Sequence, residues 1–155
     1  MIRGITFEIP NDHGRHLADI LKPLELAAFN WLVEPEESYL VSNNQIETPF
    51  FPDKQEVIDG VTMHNLINRG SYYLIFADVK GFPKGKNVTQ ITTYEEFVNS
   101  DCELIILIVD CSYTTLYCKN NEMTRKLYKN ALEMRYENVE YITDENDGRT
   151  QMSVW

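Results

Sequence analysis

Leu104-Ile105-Ile106-Leu107-Ile108-Val109 is the longest apolar run in the chain, and its reading decides the fold. It is far shorter than the roughly 18 residues a membrane-spanning helix needs. A short unbroken run of branched aliphatic residues, closed by Asp110 and Ser112, is the pattern of a strand covered on both faces. Thr114 to Cys118 reads as its hairpin partner. From about Glu122 to Glu137, Met123, Leu127, Ala131 and Met134 recur at helical spacing, with Arg125, Lys126, Lys129 and Glu133 opposite them. A central strand with a long striped helix packed across it follows.

Outward from this centre, Ile5, Phe7 and Ile9 alternate with Gly4, Thr6 and Glu8, which predicts a half-buried first strand. Asn11 or Asp12 can cap a helix carrying Leu17, Ile20, Leu21 and Leu24, with Pro23 near its end. Phe29, Trp31 and Val33 predict a strand. Glu34-Pro35-Glu36 predicts a turn, and Ser38 to Val41 a returning strand. Asn43-Asn44 marks a tight turn, and Gln45 to Pro52 reads as irregular chain. Asp59 or Thr62 can cap a short helix to Asn68, with Gly70 to stop it. Tyr72 to Ala77 is a strand, and Lys80 to Lys86 reads as a basic loop. Thr92 and Thr93, each with a glutamate three residues on, predict a helix from Tyr94 to Ser100. Val139 to Thr143 is a strand, Asn146-Asp147-Gly148 a turn, and Thr150 to Trp155 a closing hairpin strand. Hairpins outnumber βαβ units, so the fold class is α+β: a mixed, mostly antiparallel sheet with helices packed on one face. No linker or repeat divides the chain, so residues 1–155 form one domain.

The net charge is −10 and the chain is 43% hydrophobic, as expected of a folded, acidic protein. Nucleic-acid binding requires clustered Lys and Arg and is disfavoured. No apolar leader follows Met1, and no span crosses a membrane, so a soluble cytoplasmic protein is expected. Cys102, Cys111 and Cys118 are odd in number and match no zinc spacing, which fits reduced thiols in that compartment.

Four features carry possible chemistry. His13 and His16 share a helix face near Asp12 and Asp19, but no third ligand is evident, so a solvated face is the expectation. Asp78 and Asp110 end apolar strands, where carboxylates can serve acid–base work; Asp is also a common turn starter. The Lys80–Lys86 loop lacks the order of a phosphate-binding loop. The stretch from Trp31 to Gly60 gathers Glu34, Glu36, Glu37, Glu47, Asp53, Glu56 and Asp59 against Lys54 alone, beside Phe29, Trp31, Tyr39, Phe50 and Phe51. Carboxylates that steer a basic protein and rings that anchor it make a binding surface.

Met1-Ile-Arg-Gly-Ile-Thr-Phe-Glu-Ile-Pro-Asn-Asp12, Asp19-Ile-Leu-Lys-Pro-Leu24 and Phe29-Asn-Trp31 together resemble a family of small uncharacterised cytosolic proteins from spore-forming Gram-positive bacteria. The resemblance implies a bacterial cytosolic protein and carries over no activity and no site residue.

The function expected is a non-enzymatic protein-binding module, an immunity-like or regulatory partner. Glu34, Glu36 and Glu37 would project from a hairpin tip toward a basic protein, with Phe50 or Phe51 as an exposed anchor. No catalytic or metal-ligating residue and no cofactor is assigned. The alternative is a small hydrolase or metal-dependent enzyme using Asp78, Asp110 or the His13/His16 pair.

Overall fold

The computed structural model describes residues 1–51 and 57–154. Pro52, Asp53, Lys54, Glu56 and Trp155, which enter the expectations above, lie outside the described residues. In chain order the elements are β1 (Ile2–Glu8), α1 (His16–Ile20), a 3-10 turn (Leu26–Ala28), β2 (Phe29–Val33), β3 (Glu37–Ser42), β4 (Gln45–Pro49), β5 (Val57–Asp59), α2 (Gly60–Asn68), β6 (Ser71–Pro83), α3 (Tyr94–Asn99), β7 (Leu104–Val109), β8 (Tyr113–Cys118), α4 (Asn121–Glu133) and β9 (Glu137–Thr143). The fold is α+β, with four helices on a sheet of nine strands among the described residues. The main path runs β4-β3-β6-β7-β8-β1-β9, and β2 joins it by pairing with β6 and β5. Every strand pairing among the described residues is antiparallel.

Leu104–Val109, as β7, is the middle of this sheet. Leu104 to Ile108 are each at most 1% exposed, between β6 and β8. Leu104, Ile106 and Ile108 point into a core shared with Leu17 and Ile20 of α1, Met63 and Ile67 of α2, and Leu127 and Ala131 of α4. Ile105 and Leu107 point the other way, into a second core with Phe97 of α3, Ile91 and Met152. Three helices therefore share one face, while α3 and the C-terminal segment cover part of the other. The physical reason lies in β7 itself: alternate side chains point to opposite faces, and an all-aliphatic strand needs cover on both. The long helix sits over β8, β1 and β9, beside the central strand rather than across it.

Local signals placed several boundaries well. Asp59 caps α2 by accepting from the N–H groups of Val61 and Thr62, and Thr93 caps α3 by accepting from Glu96. Asn120 caps α4, which starts at Asn121, one residue before the expected Glu122, and ends at Glu133, short of Glu137, where Arg135 takes φ 61°. Asn43 and Asn44 both adopt positive φ, 52° and 62°, as a two-residue hairpin turn requires.

Four expectations fail for long-range reasons. Gln45 to Pro49 is a strand, paired with β3, not irregular chain. The basic loop begins later than expected: Lys80 to Pro83 continue β6 because β2 and β7 pair with them. The first helix starts only at His16, since the Gly14 backbone bridges to Tyr72 instead. Gln151 makes a single bridge to Thr93, so the described part of the C-terminal segment docks by α3 and forms no hairpin strand.

Candidate functional site

β2 and β3 both run antiparallel to β6, one after the other along the same edge. Glu34-Pro35-Glu36 is therefore the joint between two collinear strands and not a hairpin tip. The Glu34 N–H donates to the Asp78 carbonyl at 3.0 Å, which continues the β2–β6 ladder past Val33. This corrects the expected exposure of the acidic turn. Glu34 is 9% exposed and Glu36 1%, while Glu37 is half-buried at the start of β3. The proposed ring anchors are also inside: Phe50 and Phe51 are 2% and 1% exposed, and Phe50 stacks on Tyr72 with centroids 4.2 Å apart. Their apolar area is worth more in the core than at the surface, and the Phe50 N–H bond to the Ser38 carbonyl draws that segment inward.

Beside Glu34 lies a buried ionic cluster that sequence reasoning missed. Asp78 and Lys80 sit two residues apart on β6, so both side chains rise from one face. Each is 1% exposed, and Lys80 Nζ donates to Asp78 Oδ1 at 2.6 Å. Their cross-strand neighbours are Leu107, Ile105 and Leu32. Burial pushes the Asp78 carboxyl above its ordinary range; Lys80 pulls it back, as do Val154 and Ser153 of the C-terminal segment. Burial likewise raises Glu34, opposed by Lys80 and reinforced by Asp78. Glu34 Oε1 and Asp78 Oδ2 have no hydrogen-bond partner among the described residues. Two alternating charged residues in an otherwise apolar β6 were the available signal, hidden because Gly81 and Pro83 resemble loop residues.

The alternative chemistry finds its residues apart. Asp110 is exposed in the β7–β8 turn at φ 52°, whereas Asp78 is sealed opposite Leu107. His16 is 8% exposed and bonds Asp12 Oδ1 at 2.7 Å, while exposed His13 meets Tyr73 edge-on. Among the described residues no group of three or more His, Cys, Asp or Glu is arranged to hold a metal. No helix among them is long and apolar enough to cross a membrane. A shallow polar cleft of about 180 Å³ lies between β1, β9 and the following loop, lined by Thr6, Tyr117, Asp147 and Arg149 among others. Asp147 is already engaged there by Arg3 and by the Tyr117 hydroxyl.

Among the described residues of the acidic segment, the β3–β4 hairpin stays on the surface. All five residues of β4 are exposed, Ile46 by 48%, and among the described residues β4 ends the sheet path with β3 as its strand neighbour. Glu47 projects from the middle of this edge. Asp59, counted in the same acidic run, is committed to capping α2.

A family model described as "Protein of unknown function (DUF2691)" matches residues 2–153. The uncharacterized protein YncE of Bacillus subtilis (strain 168) is 44% identical over 154 residues, which covers 99% of this chain and 100% of that protein. No solved structure matches the chain.

Proposed function

The chain belongs to the DUF2691 family, and from that premise we propose a non-enzymatic protein-binding module, an immunity-like or regulatory partner, that takes an extended basic segment of its target along the β4 edge. The observation carrying this is the edge itself: five consecutive exposed residues in strand conformation, at the end of the sheet path. Such an edge offers main-chain donors and acceptors for an added strand. Ile46 supplies an apolar contact, and Glu47 with the half-buried Glu37 supplies charge. At a net charge of −10, a basic segment is steered in and a second copy is repelled. The three cysteines are free, which supports a reducing compartment, the cytoplasm.

The test is selection of a displayed random peptide library on the full chain. Peptides that alternate Lys or Arg with apolar residues are expected. Their affinity should fall about tenfold or more for the Ile46→Asp, Glu47→Lys double variant. Selected peptides that bind this variant as well as the parent would rule out the edge.

A further inference from the structure

We propose that Lys80 and Asp78 are a modification site, where the Lys80 amine and the Asp78 carboxyl condense into an intramolecular amide with Glu34 relaying the proton. Lys80 Nζ donates to Asp78 Oδ1 at 2.6 Å, so the amine contacts an oxygen one bond removed from the carboxyl carbon. Attack geometries need about 3–3.5 Å, and both groups are held on one strand face with no loop to close. The pair is enclosed by Leu32, Ile105, Leu107, Phe82 and Met152, all at most 5% exposed, with Ser153 and the Val154 backbone as polar neighbours of Asp78.

Charge in such a place is costly, and condensation removes it from both members of the pair. The amine becomes a nucleophile once it has passed its proton to the adjacent carboxylate. Burial lifts the Asp78 carboxyl toward its neutral form. As a plain ion pair the cluster is unbalanced. Lys80 is bonded to Asp78 and acts on Glu34 through its charge alone, and Glu34 Oε1 and Asp78 Oδ2 have no hydrogen-bond partner among the described residues. Condensation removes both charges of the pair and creates an amide N–H that can donate to Glu34.

The step balances. The Lys80 ammonium first gives a proton to the Asp78 carboxylate. Nζ attacks Cγ, so an N–C bond forms. The Glu34 carboxylate takes one proton from Nζ and delivers it to the departing hydroxyl. The C–O bond breaks, one water leaves, and Glu34 is again a carboxylate. Nothing is oxidised or reduced. Met152, 0% exposed above this layer, keeps bulk water from reversing the reaction.

Intact-mass spectrometry of the purified full chain tests this without a variant. The expected mass is lower than the sequence mass by one water. After denaturation and trypsin, residues 70–84 should appear as one peptide lacking that water and uncut after Lys80. A full intact mass, or cleavage after Lys80, overturns the proposal. So does a water loss mapped to Asp147-Gly148, where an Asp-Gly pair can close on its own backbone. Lys80→Arg should restore the full mass. Glu34→Gln should also show the full mass while melting as a folded protein; a folded Glu34→Gln chain that carries the amide overturns the relay.

Discussion

Gly81 lies directly opposite Trp31 in the β2–β6 pairing, and a methyl group on its Cα would stand 2.8 Å from Cζ3 of the indole ring. Trp31 is fully buried and its Nε1 donates to the Leu26 carbonyl, so the ring is held and cannot swing aside freely. Gly81→Ala should therefore destabilise by about 1–3 kcal/mol, the usual cost of overpacking. Urea unfolding should show a lower midpoint at unchanged slope. Trp31→Phe in the same chain should recover part of the loss, and an unchanged midpoint in Gly81→Ala would mean that the ring moves.

The three thiols should differ in reactivity. Burial pushes Cys102 up to about 12 and also raises Cys118, so neither forms thiolate readily at neutral pH. Cys111 is half-exposed in the β7–β8 turn. A disulfide-exchange reagent on native protein should consume one thiol fast, at Cys111, and all three after denaturation. Rapid loss of two or more in the native state would show that the sheet opens around Cys102 or Cys118.

What the sequence made legible was local. The β7 run, the α4 stripe, the Asn43-Asn44 turn and the Asp59 cap each depend on neighbours a few residues away. Glu34 and Lys80 were misplaced because their environment depends on which strands flank β6. Glu34-Pro35-Glu36 has the composition of a turn, and only the pairing of β2 and β3 along one edge makes it a joint. Gly81 looks like a loop residue, yet it is the strand position that makes room for Trp31. The sequence reading expected Glu34, Glu36, Phe50 and Phe51 at the surface, but the strand pairing buries them; among the described residues of that stretch, Ile46 and Glu47 are exposed.

Acid sensitivity has a definite sign. The Thr92 N–H and hydroxyl hold Glu96 below its ordinary pKa, the Thr62 hydrogen bonds do so for Asp59, and Arg3 does so for Asp144. A carboxyl depressed by folding stabilises above its unfolded pKa, about 4, and that stability is lost as pH falls through the folded value. Glu34, raised by burial, works in the opposite direction, its contribution being lost as pH rises. Glu96→Gln should thus melt below the parent at about pH 6, with the gap closing by about pH 3. A gap that stays constant across this range would remove Glu96 from the acid limb.

Glu47 should also guard the chain against itself. An exposed strand edge is a template for any free strand, and a charge near its middle is a common protection. In an antiparallel pairing of two β4 edges, each Glu47 would approach the other copy's acidic edge, and like charges facing across strands destabilise the pair. Pro49 removes one donor at the far end of β4, which leaves Glu47 as the main barrier over Gln45 to Thr48. Glu47→Val removes the charge and adds a branched apolar residue on the same strand as Ile46. Sedimentation velocity should then show association that grows with concentration, where the parent chain stays at the mass of one copy under the same conditions. Adding Ile46→Lys to Glu47→Val should return the single-copy mass, because it restores a charge to the edge without touching the core. If Glu47→Val sediments like the parent at every concentration, β4 does not act as a pairing edge, and the basic segment proposed to add there would have no template.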